Sequence, residues 1–354
     1  MSQSPSRSAP SDDSVNPENA LYIGIDLGTS RSSIASANGV RKTVESYVGW
    51  PKDAVASKKF GGQEIIFGKT ALDNRLSLDL YRPLADGVIQ DDKEGSRNLE
   101  AARELINYLV TMVEPGRGEQ IYGVVGVPSE ASDINKEAII ECTKGIFDSV
   151  MICTEPFCVA YGMDRIADVL VVDIGAGTTD FCRMHGTVPS AEDQRSVNIA
   201  GDAVDRKMLE LINQHHPDAQ VTQTMIKRIK EQYGFVGSAT EKVEVEFPVN
   251  GKPTKHDITD QVRDACSILI DPIVENIHKL IATFDPEFQQ QLRDNIILAG
   301  GGGLMSGLNK AIEAKLDVVG GGKVTVVEEP MYAGANGGLQ LALDMPASYW
   351  QQLK

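Results

Sequence analysis

The sequence contains no long apolar run, so it offers no candidate for a membrane-spanning helix. Crossing a bilayer takes about 20 consecutive apolar residues, whereas the most apolar stretches, 169–172 and 296–299, have only the length of buried strands. Residues 1–19 are rich in Ser, Pro and Asp and have no hydrophobic region, unlike a signal peptide or an amphipathic membrane anchor. Their composition predicts a disordered tail. We therefore expect a cytoplasmic protein with no direct membrane insertion.

Basic residues, cysteine and histidine are all scarce. The chain has 34 Lys and Arg against 50 Asp and Glu, a formal charge of −16, so it lacks the basic face with which nucleic-acid-binding proteins displace counterions. Its five cysteines lie among apolar residues without a C-x-x-C spacing, which predicts buried, reduced thiols. Of the five histidines only His215 and His216 are adjacent, and neighbours on a helix do not face one site. We expect neither a nucleic-acid partner nor a metal site built from soft ligands.

Two widespread nucleotide-binding signatures are also missing. No G-x-x-x-x-G-K-[ST] occurs, so the chain is not a P-loop protein. No G-x-G-x-x-G occurs either, which counts against a Rossmann dinucleotide site. The 354 residues are nevertheless enough for two domains. Any nucleotide site in this chain must therefore use another motif.

What the sequence does contain is one pattern twice. Residues 24–30 (GIDLGTS) and 172–180 (VDIGAGTTD) each combine an apolar strand, an aspartate, a glycine turn, hydroxyl residues and a returning strand. The rest of the chain alternates between predicted strands and helices, which indicates a mixed sheet covered by helices in each half. The longer predicted helices cover 98–113, 131–147, 203–215, 222–233, 260–284, 304–316 and 332–343. Two similar halves with one hairpin each predict a cleft between them.

Both hairpins have the residue types that bind phosphate and magnesium. Glycine lets backbone N–H groups approach an anion, and successive N–H groups in a turn form an anion-binding concavity. Hydroxyl donors are added by Thr29, Ser30, Thr178 and Thr179. Asp26 and Asp173 end the strands just before the turns, where a carboxylate can reach Mg²⁺ or its waters. An ordinary glycine turn explains one such hairpin equally well, but two in one chain favour a phosphate site.

A run of four glycines supplies a third element. It consists of Gly300, Gly301, Gly302 and Gly303, between the predicted strand 296–299 and the predicted helix 304–316. Such a junction places backbone amides and a helix N-terminus on a phosphate or an adenosine. The two hairpins and the glycine run together predict a two-domain clamp around a magnesium nucleotide.

With these residues the chain resembles the actin, Hsp70 and sugar-kinase superfamily from Leu21 to its end. Segment 24–30 looks like the first phosphate motif, 173–180 like the second, and 299–304 like the adenosine motif. Segments 122–128 and 155–162 together resemble the first connecting segment between the two domains of the superfamily, and 329–343 resembles the second. The resemblance implies an α/β fold, a duplicated ribonuclease-H-like (actin-fold) ATPase of two domains with a central nucleotide cleft.

The resemblance also implies domain boundaries. Residues 20–165 would form domain I, with a small insertion subdomain at about 40–95 and with the C-terminal helix 331–354 completing it. Residues 166–330 would form domain II, with a small subdomain at about 203–260. The tail at residues 1–19 would lie outside both domains.

Within the superfamily the chain is similar to the bacterial actins, and in particular to those that form filaments along magnetosome chains. Segment 82–89 (RPLADGVI) matches bacterial actins generally, while the magnetosome branch is resembled by 48–53, 154–157, 186–189, 230–237 and 349–353. The resemblance implies a cytoplasmic, head-to-tail homopolymer filament, with magnetosome-associated adaptor proteins as further partners. It also implies ATP or ADP with Mg²⁺ as cofactors, and hydrolysis of ATP that drives filament turnover.

The same resemblance implies a role for each site residue. Glu155 would position the attacking water, Asp173 would orient water and Mg²⁺, and Asp26 would complete the metal shell. Lys230 and Glu231 would contact the adenine and the ribose. The full set of nucleotide-binding residues is Gly28, Thr29, Ser30, Gly175, Ala176, Gly177, Thr178, Thr179, Gly201, Asp202, Lys230, Glu231, Gly300, Gly301, Gly302 and Gly303.

Two of these assignments have plain structural alternatives. The charge of Glu155 can instead stabilise the start of the helix that is predicted to begin at Pro156. Lys230 and Glu231 can instead belong to a solvated helix face. No arginine finger is evident from the sequence, in keeping with the slow turnover of a filament protein.

Two other functions occur on this kind of fold. A small-molecule kinase would need a catalytic base and a substrate pocket between the halves, and such enzymes usually carry larger insertions. An Hsp70-type chaperone would need a substrate-binding domain after the nucleotide domain, and this chain ends at Lys354. The sequence therefore favours a filament ATPase, with the kinase as the alternative.

Overall fold

The computed structural model describes residues 19–89 and 97–353. Apart from Asn19, the predicted tail lies outside the described residues, as do residues 90–96 of the predicted insertion subdomain. Within the described ranges no helix is long and apolar enough to cross a bilayer. All cysteines are free thiols, and all except the half-buried Cys153 are buried, as the sequence predicted.

Seventeen strands and thirteen α-helices make up the described chain. The strands are β1 (Ala20–Asp26), β2 (Arg31–Ser36), β3 (Arg41–Glu45), β4 (Val48–Pro51), β5 (Ile66–Phe67), β6 (Leu78–Tyr81), β7 (Leu84–Ala85), β8 (Val88–Ile89), β9 (Gln120–Val127), β10 (Ser149–Thr154), β11 (Ala167–Ile174), β12 (Thr179–His185), β13 (Gln194–Val197), β14 (Glu244–Val249), β15 (Lys252–Asp257), β16 (Ile296–Ala299) and β17 (Val324–Val326). The helices are α1 (Ala54–Lys59), α2 (Gly68–Asp73), α3 (Arg97–Thr111), α4 (Asp133–Thr143), α5 (Glu155–Gly162), α6 (Gly201–His215), α7 (Gln223–Tyr233), α8 (Thr259–Ser267), α9 (Ile270–Ala282), α10 (Gln289–Asp294), α11 (Leu308–Leu316), α12 (Ala333–Asp344) and α13 (Ala347–Gln352).

Two five-stranded sheets share one topology. The strand order is β10–β9–β1–β2–β3 in the first sheet and β13–β12–β11–β16–β17 in the second. Each sheet has three consecutive antiparallel strands, β1–β3 or β11–β13, and two further strands that run parallel to the first of them. The duplication that the sequence showed in two short hairpins therefore extends through both sheets. The predicted mixed sheets in two similar halves are confirmed.

The helices between the sheets join the two halves. Helices α5, α12 and α13 contribute to one core together with residues of both sheets. The C-terminal helix α13 is fixed to the first sheet, because the ring of Trp350 stacks on Tyr122 with centroids 5.5 Å apart and its carbonyl accepts a hydrogen bond from Ser149 Oγ at 3.1 Å. The other two large cores are formed by the first sheet with α3 and α4, and by the second sheet with helices α6 to α11.

Helix α12 approaches its neighbours so closely that only glycine fits at the contacts. A Cβ at Gly337 would lie 1.7 Å from the carbonyl oxygen of Cys158 in α5, and a Cβ at Gly24 in β1 would lie 2.1 Å from the carbonyl oxygen of Ala335. Side-chain atoms never approach backbone that closely, so both positions require the absence of a side chain. The start of α12 also packs against Asp26, the last residue of β1, because a Cβ at Gly334 would lie 2.9 Å from Asp26 Oδ2.

The predicted helix 260–284 is wrong as a single element. The chain forms α8 and α9 instead, with a break at Ile268 and Leu269, where the Leu269 N–H bonds back only three residues to the Cys266 carbonyl. Pro272 explains the break, because proline has no N–H and is tolerated only in the first turn of a helix. It occupies that first turn in α9, which begins at Ile270.

Two other helices are shorter than predicted. In place of the helix 304–316, Gly301–Leu304 forms a 3₁₀ turn and α11 begins only at Leu308. Ser306 pairs with the strand-like segment around Phe235, since the Val236 N–H donates to the Ser306 carbonyl at 2.9 Å. The helix predicted over 131–147 is α4, which ends at Thr143 ahead of Gly145 at φ +74.

Candidate functional site

A cleft of about 380 Å³ lies where β1 and β11 end and the two halves face each other. That volume is in the range of pockets that hold small ligands. Fifteen of the predicted site residues line it: Asp26, Gly28, Thr29, Ser30, Glu155, Asp173, Gly175, Ala176, Gly177, Thr178, Lys230, Glu231, Gly300, Gly301 and Gly302. The structure thus brings both hairpin turns and the glycine run to one cavity.

The first turn is held by hydrogen bonds from outside it. Ser46 Oγ donates to the Gly28 carbonyl at 2.6 Å, and the Gly87 N–H donates to Thr29 Oγ1 at 2.9 Å. Glycine is needed at the start of the turn because a Cβ at Gly28 would lie 2.3 Å from the Arg31 carbonyl oxygen. These contacts anchor the turn to two other segments of the first half.

The second turn is supported by the N-terminus of α6. The Gly201 N–H donates to the Gly175 carbonyl at 3.1 Å, and the Asp202 N–H donates to the Ala176 carbonyl at 2.7 Å. A Cβ at Gly177 would lie 2.7 Å from Thr29 Oγ1, so the two turns meet across the cleft. Two concave turns that converge in this way can surround the phosphate chain of one nucleotide.

The glycine run follows β16 and closes the side of the cleft formed by the second half. Gly300 has φ +70, and a Cβ there would lie 2.3 Å from Asp173 Oδ1 and 2.5 Å from the Ile174 carbonyl oxygen. A Cβ at Gly302 would lie 2.3 Å from Ile174 Cγ2. The run therefore packs directly on the end of β11, which places its backbone against the second phosphate turn.

Three carboxylic acids face one another in the cleft. Burial raises the pKa of Asp26 to about 6. Burial, followed by the charges of Asp26 and neighbouring acids, raises the pKa of Glu155 and of Asp173 well above their usual ranges. No lysine or arginine among the described residues forms an ion pair with any of the three. A cluster of this kind favours a cation, because a positive charge removes both the repulsion and the desolvation penalty.

The residues present fit a magnesium ion better than a soft metal. Carboxylate oxygens suit Mg²⁺, which usually keeps several waters and takes one or two carboxylates plus phosphate oxygens. Among the described residues no group of three acidic, cysteine or histidine side chains is close enough to bind one ion directly. The sequence-based assignment of Asp26 and Asp173 to a Mg²⁺ held through waters and nucleotide oxygens stays a prediction, and the residues present are compatible with it.

Asp180 belongs with these acids, although it was not among the predicted site residues and only ends the second motif. It lies opposite Asp173 in the β11–β12 register, and burial raises its pKa. Its Oδ1 accepts a hydrogen bond from the Ser129 N–H at 2.7 Å, which links the second half to the end of β9 in the first. Its position in the motif was the available signal, but only the sheet register shows that it faces Asp173.

Lys230 is not part of a solvated helix face. Its ammonium lies 2.9 Å from Asp205 Oδ1 and donates to the Gly201 carbonyl at 2.7 Å, and its side chain is 13% exposed. Glu231 is exposed and lies 3.8 Å from Arg31 at the rim. Glu155 is the first residue of α5, where Thr154 makes no capping hydrogen bond, and its side chain lines the cleft. Its negative charge also suits a helix N-terminus, so the proposed catalytic role of Glu155 and its stabilisation of the helix start are compatible.

Four predicted residues support the wall of the cleft rather than line it. The buried Thr179 donates its hydroxyl to the Ile199 carbonyl at 2.8 Å. The N–H groups of Gly201 and Asp202 bind the second turn from outside the cleft. Gly303, the last glycine of the run, is buried. The lining residues that the prediction missed are Arg31, Ser33, Gly87, Gly234, Leu304, Met305, Pro330 and Met331. Extending the predicted motifs by one or two residues would have found only three of them, Arg31, Leu304 and Met305.

The acids of the cleft give the nucleotide-free protein a specific pH dependence. Because the folded pKa of Asp26 is raised from 3.8 to about 6, the unfolded chain ionises first as pH rises, and the folded state loses stability until pH reaches about 6. We expect Asp26→Asn to be more stable than wild type by a margin that grows by about 1.4 kcal/mol between pH 5 and pH 7. Chemical denaturation of both proteins without nucleotide measures this margin. A margin that stays constant over the range would show that Asp26 is not buried as the structure has it.

Comparison with known proteins places this cleft in a wider context. The family model "MreB/Mbl protein" matches residues 20–348. "Actin-like protein MamK" of Paramagnetospirillum magneticum is 39% identical over 336 residues, covering 95% of this chain and 96% of that protein. The protein of the same name in Magnetospirillum gryphiswaldense is 38% identical, covering 95% and 92%.

Solved structures agree with these matches. A MamK double helical filament aligns with a TM-score of 0.89 at 38% identity, over 93% of this chain and 100% of that one. A non-polymerising MamK mutant bound to AMPPNP aligns with a TM-score of 0.69 at 39% identity, over 92% of this chain and 99% of that one. MreB 5 of Spiroplasma citri, 21% identical with a TM-score of 0.74, shares the fold.

Proposed function

Because this chain belongs to the MreB/Mbl family of bacterial actins and resembles its MamK members over nearly its whole length, we propose that it is an ATP-dependent polymerising cytoskeletal protein. The actin fold that the sequence indicated is confirmed by these matches, and the branch of the bacterial actins that it resembles is MamK. Two observations together support this function. The two glycine turns converge on one cleft, and a 38%-identical neighbour is solved as a filament. The kinase alternative is not favoured, since the relatives described above are actin-like proteins and one of them is solved as a filament.

We further propose ATP as the nucleotide and water as the nucleophile. The AMPPNP-bound relative supports an adenine nucleotide. Backbone N–H groups of the two turns would hold the phosphates, and Lys230 and the glycine run would flank the adenosine. Bound through Asp26 and Asp173, Mg²⁺ would neutralise charge on the phosphates. Glu155 would accept a hydrogen bond from the attacking water and fix its orientation, because hydrolysis of a γ-phosphate depends mainly on positioning.

The proposed partner is a second copy of the chain. Head-to-tail contacts between copies are heterologous, and such contacts produce open filaments rather than closed rings. By analogy with the MamK relatives, we place the filament in the cytoplasm beside magnetosomes, where it would organise and position their chains together with adaptor proteins. Hydrolysis would weaken the polymer and drive its turnover.

Assembly with nucleotide tests this function directly. At tens of micromolar, the wild-type protein should sediment and form filaments under the electron microscope after addition of Mg-ATP, and it should stay in the supernatant when a chelator removes the magnesium. A protein that remains monomeric with Mg-ATP would refute the filament function. Phosphate release that rises only when a sugar is added would instead support the kinase.

A further inference from the structure

We infer that Arg82 is a positioning residue for hydrolysis, because its guanidinium links the first phosphate turn to the support of the second. This inference rests on the proposed function and assigns a task to a residue that does not itself line the cleft and touches none of the predicted catalytic groups. Arg82 follows β6 and belongs to the first half, whereas its acidic partner Asp202 lies in the first turn of α6 in the second half.

The contact to the first turn is made by backbone and side chain together. Arg82 Nε donates to the Thr29 carbonyl at 2.8 Å. Five residues later in the same segment, the Gly87 N–H donates to Thr29 Oγ1 at 2.9 Å. The segment 82–87 therefore holds Thr29 at two atoms, and the carbonyl and hydroxyl of that residue are fixed relative to Arg82.

The contact to the second turn passes through Asp202. Arg82 Nη2 lies 2.9 Å from Asp202 Oδ2 and 3.2 Å from Oδ1. The backbone N–H of Asp202 donates to the Ala176 carbonyl at 2.7 Å. A continuous series of hydrogen bonds thus runs from Thr29 through Arg82 and Asp202 to Ala176, and it connects the two turns without passing through any ligand.

Arg82 is suited to this task where a lysine is not. A guanidinium presents donors in a rigid planar fork, so Nε and Nη2 can serve two acceptors in a fixed relative geometry. The pair is also partly shielded, with side-chain exposures of 27% for Arg82 and 15% for Asp202. Another arginine that crosses the cleft, Arg228, pairs with Asp73 at 3.1 Å but is 62% exposed and touches neither turn.

The division of the site between the halves decides which kinetic constant should change. Lys230, Glu231 and the glycine run belong to the second half with the second turn, so most adenosine contacts survive a shift between halves. Glu155, Asp26 and the first turn belong to the first half. Loosening the link would therefore misalign Glu155 and the first turn with the γ-phosphate position, and misplacement of this kind slows the chemical step far more than binding.

Four variants test the link: Arg82→Ala, Arg82→Lys, Asp202→Asn and the double variant Arg82→Ala with Asp202→Asn. Arg82→Ala should lower single-turnover phosphate release by about tenfold or more, while the Kd for a fluorescent ATP analogue changes by less than about threefold. The rate of phosphate release by Arg82→Lys should lie between those of the wild type and Arg82→Ala, since one ammonium cannot serve both acceptors. The double variant should be no slower than Arg82→Ala, because residues that act through one another are not additive.

A readout without nucleotide separates positioning from general stability. Amide hydrogen exchange of segment 28–31 should be faster in Arg82→Ala than in the wild type, with exchange in β16 and α9 unchanged. Arg228→Ala is the matched control, an arginine that bridges the same halves, and it should leave turnover within about twofold. If Arg82→Ala does not fold, Arg82→Lys and Asp202→Asn carry the same test.

Two results would overturn the inference. One is turnover of Arg82→Ala within twofold of the wild type; the other is a loss of turnover that accompanies an equal loss of affinity and faster exchange throughout the chain. Failure of the proposed function is distinguishable from either result, because the wild-type protein itself would then neither bind the ATP analogue nor assemble.

Discussion

Replacement of Glu155 by Gln should slow phosphate release by about 100-fold and at the same time stabilise the nucleotide-free protein. The first effect follows because the amide keeps the size of the side chain but accepts a hydrogen bond from the attacking water less strongly than a carboxylate does. Side chains that accept a proton from the reacting group raise the rate roughly 10²–10⁴-fold. The Kd for ATP should change little, since the role proposed for Glu155 is to orient the attacking water and not to contact the adenosine. Rapid-quench or phosphate-sensor measurements give the rate.

The stabilising effect follows from the electrostatics of the cleft. Burial and the charges of Asp26, Asp180 and Asp173 raise the pKa of Glu155 well above its usual range. At neutral pH the folded chain must therefore either keep a proton on Glu155 or hold its charge beside other acids, and both cost free energy. A neutral glutamine removes this cost. The melting temperature of Glu155→Gln should consequently exceed that of the wild type without nucleotide, a common trade-off at active sites.

The matched control for Glu155 is Glu100. It is also an acidic residue in the first turn of a helix, but it is exposed and pairs with Arg97. Glu100→Gln should leave phosphate release unchanged and lower stability slightly, because it removes a favourable charge at a helix N-terminus. Phosphate release by Glu155→Gln at the wild-type rate would mean that Glu155 only stabilises the start of α5. Filaments of Glu155→Gln should form with Mg-ATP but disassemble slowly.

Local chemistry explains why so much of the fold could be predicted. The hairpins at Gly28 and Gly175 depend on turn residues that are adjacent in sequence, so their strands, their aspartates and their place at one cleft were readable. The break between α8 and α9 was also readable, because Pro272 cannot donate within a helix. The prediction of a single helix over 260–284 gave the helical spacing of the apolar residues more weight than this proline.

Other features depend on contacts that no sequence pattern contains. The late start of α11 results from pairing of Ser306 with Phe235, some seventy residues earlier in the chain. The opposition of Asp180 to Asp173 depends on sheet register, and the bond from Arg82 to Thr29 depends on how the chain after β6 returns to the first turn. Motif matching likewise placed Thr179 and Gly303 at the nucleotide, but the direction of their backbone puts them behind the wall.

The glycine run offers the second large effect, because only one of its end residues is sterically obligatory. Gly300 has φ +70 and ψ 169, a backbone conformation that is almost confined to glycine and costs other residues roughly 1–3 kcal/mol, and an added Cβ would lie 2.3 Å from Asp173 Oδ1. At Gly303 the nearest atom to an added Cβ is Leu298 Cβ at 3.5 Å, an ordinary contact. The two positions therefore differ in strain although both were predicted to bind nucleotide.

Gly300→Ala should weaken ATP binding by roughly a hundredfold, or about 2.7 kcal/mol, since it must displace Asp173 or the Ile174 carbonyl from the second turn. Gly303→Ala should bind within about threefold of the wild type and keep its assembly with Mg-ATP. Isothermal titration of both variants decides the matter, with thermal unfolding to show that each is folded. Equal losses at the two positions would indicate that the run acts through general flexibility. A loss of affinity at Gly300 alone would mean that glycine is needed there to let the chain after β16 pack against Asp173. It would also mean that ATP affinity depends on the position of the Asp173 carboxylate.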